Sequence, residues 1–117
     1  MSQSRIEIFE QMLAGDPANT MVLFGLAKEY EKAGHETKLI ETLEKYIAAA
    51  DDEGNAYGML ARAYERTKQS DKAREAYERG VKVSTDHGHP GMAEEYRQIL
   101  DSEYRRTEGL KPLPDRP

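Results

Sequence analysis

Apolar residues recur along the chain at the spacing of a helix. Leu23, Leu26, Ala27 and Tyr30 follow i, i+3, i+4, i+7, which places them on one helical stripe. Leu39, Ile40, Leu43, Tyr46 and Ile47 form a second stripe running toward Asp51. Between the stripes stands Gly34, a natural helix end because glycine takes left-handed angles without a Cβ clash. The pattern therefore predicts two helices joined by a short turn.

The same pattern returns 34 positions on. Leu23 falls on Tyr57, Leu26 on Leu60, Ala27 on Ala61 and Tyr30 on Tyr64. In the second stripe Leu39 falls on Ala73, Leu43 on Tyr77, Tyr46 on Gly80 and Ile47 on Val81. The charged context recurs too, with "EYEK" beside "AYER". In this second unit the break comes at "TKQSD", where Ser70 or Asp71 is the expected N-cap. The flanks extend the series. Phe9, Met12 and Leu13 align with Leu43, Tyr46 and Ile47, and Asp16-Pro17 closes that segment. Downstream, "MAEEY" at Met92–Tyr96 repeats "LAKEY" at Leu26–Tyr30 after 66 positions, so the second linker is two residues short of register. The expected order is a half unit at 3–19, a unit at 20–53, a unit at 54–87, and a capping helix at 90–107. These make a single domain over 1–109, followed by a flexible proline-rich tail at 110–117.

The 34-residue period, the leucine–alanine–tyrosine stripe, the glycine at the first turn and the closing Asp-Pro together resemble the tetratricopeptide repeat family over about Ile6–Tyr104. Two positions depart from the family pattern. Lys68 stands where Gly34 stands, and Leu39 replaces the small residue represented by Ala73. The resemblance implies an all-α fold of about six helices, in antiparallel helix–turn–helix repeats stacked as a short right-handed superhelix. It also implies binding rather than catalysis, with no cofactor. In this family the first helices of the repeats line a concave groove that takes a peptide or partner segment.

Carried onto this chain, that groove would be lined by Met21, Phe24, Lys28, Glu31 and Lys32 in the first unit. In the second unit it would be lined by Asn55, Gly58, Met59, Arg62, Glu65 and Arg66, and the capping helix would add Glu94, Arg97 and Gln98. Met21, Phe24 and Met59 are apolar on a face expected to be partly open. Lys28 and Arg62 share one register position, as do Lys32 and Arg66, so four cations gather on the first helices and favour an acidic partner. The competing expectation is that Glu31 and Glu65 pair with these cations at helical spacing. The carboxylate clamp of co-chaperones is absent as a set: Phe24, Lys28 and Met59 stand at its first three places, with His87 and Gly91 in the capping segment.

Composition narrows the function further. The formal charge of −5 argues against a nucleic-acid partner, because phosphate contacts need lysine and arginine. No cysteine is present, which removes disulfides and thiolate chemistry. No segment approaches the roughly 20 apolar residues that span a bilayer, and the start carries no secretory pattern, so a soluble cytoplasmic protein is expected. No G-x-S-x-G, P-loop or G-x-G-x-x-G supports acyl or phosphoryl transfer. Two other readings accompany the binding module. One is a self-associating structural subunit forming a weak homodimer, drawn from Ile8 and Met12 off the main stripe of the first helix. The other is a metal site at His87 and His89 completed by Asp86, Glu94 or Glu95, against which "DHGHP" reads as a turn and helix start. The tail's Pro112-Leu113-Pro114 is read as a plain chain end rather than a polyproline ligand.

Overall fold

Three turns of this chain are built alike. Gly34 donates its N–H to the Glu31 carbonyl and His35 to the Tyr30 carbonyl. Lys68 and Gln69 do the same to Glu65 and Tyr64, and Gly88 and His89 to Thr85 and Ser84. Each pair of bonds satisfies carbonyls that a helix end leaves without an intrahelical partner. Each turn also needs a left-handed residue, at φ 75° for Gly34, 64° for Lys68 and 78° for Gly88.

The computed structural model describes residues 4–104. Among them the elements are α1 (Arg5–Gly15), α2 (Thr20–Ala33), α3 (Glu36–Ala49), α4 (Asn55–Arg66), α5 (Ser70–Asp86) and α6 (Pro90–Ile99), with α6 passing into a π-helical turn at Leu100–Tyr104; no strand occurs among these residues. The fold is all-α, in antiparallel helix–turn–helix pairs. The expected tail at 110–117, and the end of the expected capping helix beyond Tyr104, lie outside the described residues. The chain divides into two compact units, Met1–Asp52 and Glu53–Pro117.

In the first unit α1 is opened by a capping box. The Ser4 hydroxyl accepts from the Glu7 N–H at 3.1 Å, and the Glu7 carboxylate accepts from the Ser4 N–H at 3.2 Å. Asn19 caps α2, its side-chain oxygen accepting from the Val22 N–H at 3.2 Å. Leu23, Leu26, Ala27 and Tyr30 of α2 are buried, as are Leu39 and Leu43 of α3. The Phe9 ring of α1 lies against Gly25, where a Cβ would come within 3.3 Å of it. The Tyr30 hydroxyl donates to Glu10 of α1 at 2.5 Å.

In the second unit α4 is buried over most of its surface, with Ala56, Tyr57, Gly58, Met59, Leu60, Ala61, Ala63 and Tyr64 all enclosed. α5 is capped at Gln69 rather than at the expected Ser70 or Asp71, with no side-chain bond. It runs three residues longer than α3, continuing through the positions where the first repeat breaks. The last turn of α5 holds Ser84, fully buried, whose hydroxyl donates to the Gly80 carbonyl at 2.6 Å. α6 and the π-helical turn after it pack on α5, burying Ala93 and Tyr96 of α6 and Leu100 and Tyr104 of the turn.

Candidate functional site

Within the first unit, Met21, Phe24, Lys28 and Lys32 fall on one side of α2, at i, i+3, i+7 and i+11. Met21 is 85% exposed and Phe24 is half-buried. The Phe24 ring packs on Tyr46 of α3, with centroids 5.1 Å apart. The Lys28 ammonium lies 5.7 Å from the Phe24 centroid, within reach of the negative face of the ring. Lys28 has no carboxylate partner among the described residues. Lys32 does have one: Glu29, at 3.8 Å, which also takes Arg5 at 3.2 Å. The pairing expected at Glu31 is thus made for Lys32 by Glu29, which Arg5 of α1 shares.

The second unit treats the same register differently. Asn55, Arg62 and Arg66 are exposed, but Met59 is only 4% exposed. Its expected place on a partly open face is corrected. Position 59 is the register twin of Gly25, which is itself covered by Phe9, so this position faces packing in both units. A helix apolar over so wide an arc as α4 is buried accordingly. Gly58, the twin of Phe24, is also buried. A Cβ there would come within 2.6 Å of the Tyr96 hydroxyl.

Among the described residues Glu65 makes no ion pair with the cations beside it. It accepts from the Tyr104 hydroxyl at 2.6 Å and from the Tyr77 hydroxyl at 3.4 Å. Burial, then the Glu65 hydrogen bond and charge, hold the Tyr104 phenol well above its ordinary pKa. Burial and the Glu65 charge push Tyr77 up to about 12, against an opposing pull from Arg62. In the first unit burial and the bond to Glu10 push Tyr30 up to about 12.

The histidines do not converge on a metal set. The His87 ring Nδ1 lies 2.9 Å from the Val83 carbonyl at the end of α5, and the His89 ring contacts the Glu53 carboxylate. Asp86 holds Lys82 at 3.1 Å, and Glu94 faces Arg97 at 3.9 Å. Among the described residues no group of three or more histidine, cysteine, aspartate or glutamate side chains gathers to hold an ion. No helix among them is long and apolar enough to cross a membrane.

Two sequence comparisons bear on the family. Residues 54–87 match the tetratricopeptide repeat. The chain is 30% identical over 83 residues to the TPR repeat-containing protein PA0015 of Pseudomonas aeruginosa, an alignment covering 71% of this chain and 79% of that relative. Among solved structures, two crystal structures of MamA align at 20% identity with a TM-score of 0.47 each, covering 88% and 94% of this chain and 89% and 87% of theirs. The match of one full period and a relative at this identity and coverage assign the chain to the tetratricopeptide repeat family of protein–protein interaction modules.

Proposed function

We propose that this chain binds a peptide or partner segment of acidic character through the first helices of its repeats. The observation that carries the reading is on α2, where an 85% exposed methionine, a half-buried phenylalanine and an exposed lysine with no carboxylate partner among the described residues share one side. Exposed apolar side chains in a row supply burial on binding, and an adjacent cation orients a carboxylate. Arg62 and Arg66 repeat the cation positions on α4. In a chain of net charge −5 these cations are a local exception, so the attraction is confined to the face that bears them.

The test is fluorescence anisotropy with a labelled short peptide of alternating glutamate and leucine, beside its lysine and leucine counterpart. The acidic peptide binds and the basic one does not. Binding weakens as salt is raised, and the double reversal Lys28→Glu with Arg62→Glu removes it while the helical circular dichroism is kept. Equal binding of both peptides contradicts the reading.

A self-associating subunit is the second reading, and it draws on α1. That helix has no fully buried residue, and Ile8 and Met12 are 42% and 47% exposed on one side of it. Light scattering that finds a monomer at high concentration removes this reading.

A further inference from the structure

The two units fill the same two register positions in opposite ways. In the first unit these positions hold Phe24 and Tyr46, a ring pair supplied by the repeat itself, with Lys28 above the Phe24 ring. In the second unit both positions are glycine, Gly58 and Gly80. The space is taken by Tyr96 of α6. A Cβ at Gly58 would meet the Tyr96 hydroxyl at 2.6 Å and its Cε1 at 3.0 Å, and a Cβ at Gly80 would meet its Cε2 at 2.9 Å. The Tyr96 ring is 5% exposed, and its hydroxyl donates to the Gly54 carbonyl at 2.8 Å.

α6 is not a loosely laid arm. It enters from α5 through the same tight turn that joins helices within a repeat, and it is held by the buried Ala93 and Tyr96 and by Leu100 and Tyr104 of the π-helical turn that continues it. A short peptide arriving at the surface has nothing to replace that burial with. The part of α4 that corresponds to the Phe24 surface is therefore closed by α6. What remains accessible there is polar: Asn55, Arg62 and Arg66. On α2, by contrast, the exposed Met21, the half-buried Phe24 and the exposed Lys28 stand together on one side.

Building on the acidic-partner reading above, we infer that partner recognition is confined to the α2 side of the first unit. The occupant is an acidic segment that lays an apolar side chain on Met21 and Phe24 and sets a carboxylate against Lys28. Arg62, in the same register of the second unit, takes no part.

Single reversals separate the two positions. Lys28→Glu and Arg62→Glu change the net charge equally, so any long-range attraction falls equally in both, and the difference between them reports local contact. With the labelled glutamate–leucine peptide, Lys28→Glu weakens binding about tenfold or more, and Arg62→Glu leaves it within about twofold. Because Arg62 lies near Tyr77, Arg62→Gln is measured beside it and keeps both the wild-type affinity and the wild-type circular dichroism. A loss at Arg62→Glu as large as at Lys28→Glu overturns the confinement to α2 and leaves the acidic-partner reading standing. A wild type that fails to bind the peptide, or one whose binding neither reversal changes, overturns both.

Discussion

The Tyr96 hydroxyl donates to the Gly54 carbonyl at 2.8 Å, joining α6 to the residue just before α4 across 42 positions of chain. The bond is buried, and its ring lies over Gly58 and Gly80. Replacing Tyr96 with Phe keeps the ring and removes the donor. The expected loss is about 1 kcal/mol, the net value of a typical intramolecular hydrogen bond, read from the urea midpoint. An unchanged midpoint contradicts the bond's contribution.

The glycines under that ring make a sharper case. Alanine is the better helix former by about 1 kcal/mol, so Gly→Ala in an open helix should stabilise. At Gly58 and Gly80 the added methyl meets Tyr96 at under 3 Å, and overpacking of roughly 1–3 kcal/mol opposes the gain. Gly58→Ala and Gly80→Ala are expected to destabilise the fold. Gly91→Ala, with nothing within 4 Å, is expected to leave stability unchanged or raise it. Urea denaturation of the three variants checks the sign at each position.

Lys68 holds the left-handed conformation at φ 64° that Gly34 and Gly88 hold without a side chain. That conformation strains an L residue by roughly 1–2 kcal/mol, in part offset by the greater freedom glycine loses on folding. Lys68→Gly is expected to raise stability by up to about 1 kcal/mol, and Gly34→Ala to lower it by about as much. Opposite shifts of the two thermal midpoints are the check.

Much of this architecture is legible in the sequence because stacking requires particular sizes at fixed spacing. Leu23, Leu26, Ala27 and Tyr30 are buried where the stripe put them, and Leu60, Ala61 and Tyr64 repeat it. The site is less legible. Position 59 reads as open from its register on the helix, but burial depends on how wide an arc of α4 is apolar, not on one stripe. Lys32 takes Glu29 at i−3 rather than Glu31, and Glu29 is shared with Arg5 of another helix, a contact that no local spacing reveals. The closure by Tyr96 did leave a signal. Two glycines stand inside predicted helices, each replacing an aromatic residue of the first repeat, and mid-helix glycine marks a close approach.

Four tyrosines are held above the ordinary phenol value of about 10: Tyr30 and Tyr77 up to about 12, with Tyr46 and Tyr104 also raised. Burial is the first cause in each, followed by a neighbouring carboxylate. The folded state therefore keeps the proton that the unfolded state releases. The stabilisation is complete below pH about 10 and is lost as pH rises toward 12 and beyond. Tyrosinate absorbance is expected to rise in two stages, the later one coinciding with unfolding. All seven tyrosines titrating together near 10 would contradict the buried phenol–carboxylate pairs.

Met21 separates stability from binding. At 85% exposed it supports nothing in the fold, so Met21→Ser is expected to shift stability by less than about 0.5 kcal/mol. The same change removes apolar surface from the proposed contact and is expected to weaken the glutamate–leucine peptide about fivefold. Parallel urea and anisotropy measurements show whether the two effects part.

The central claim is that α2 is the recognition surface, and amide chemical-shift mapping on isotope-labelled protein tests it most directly. On titration with the glutamate–leucine peptide, the signals of Met21, Phe24 and Lys28 are expected to move progressively, while those of Asn55, Gly58 and Arg62 stay in place. Shifts that gather on α4 and leave α2 unmoved would contradict it.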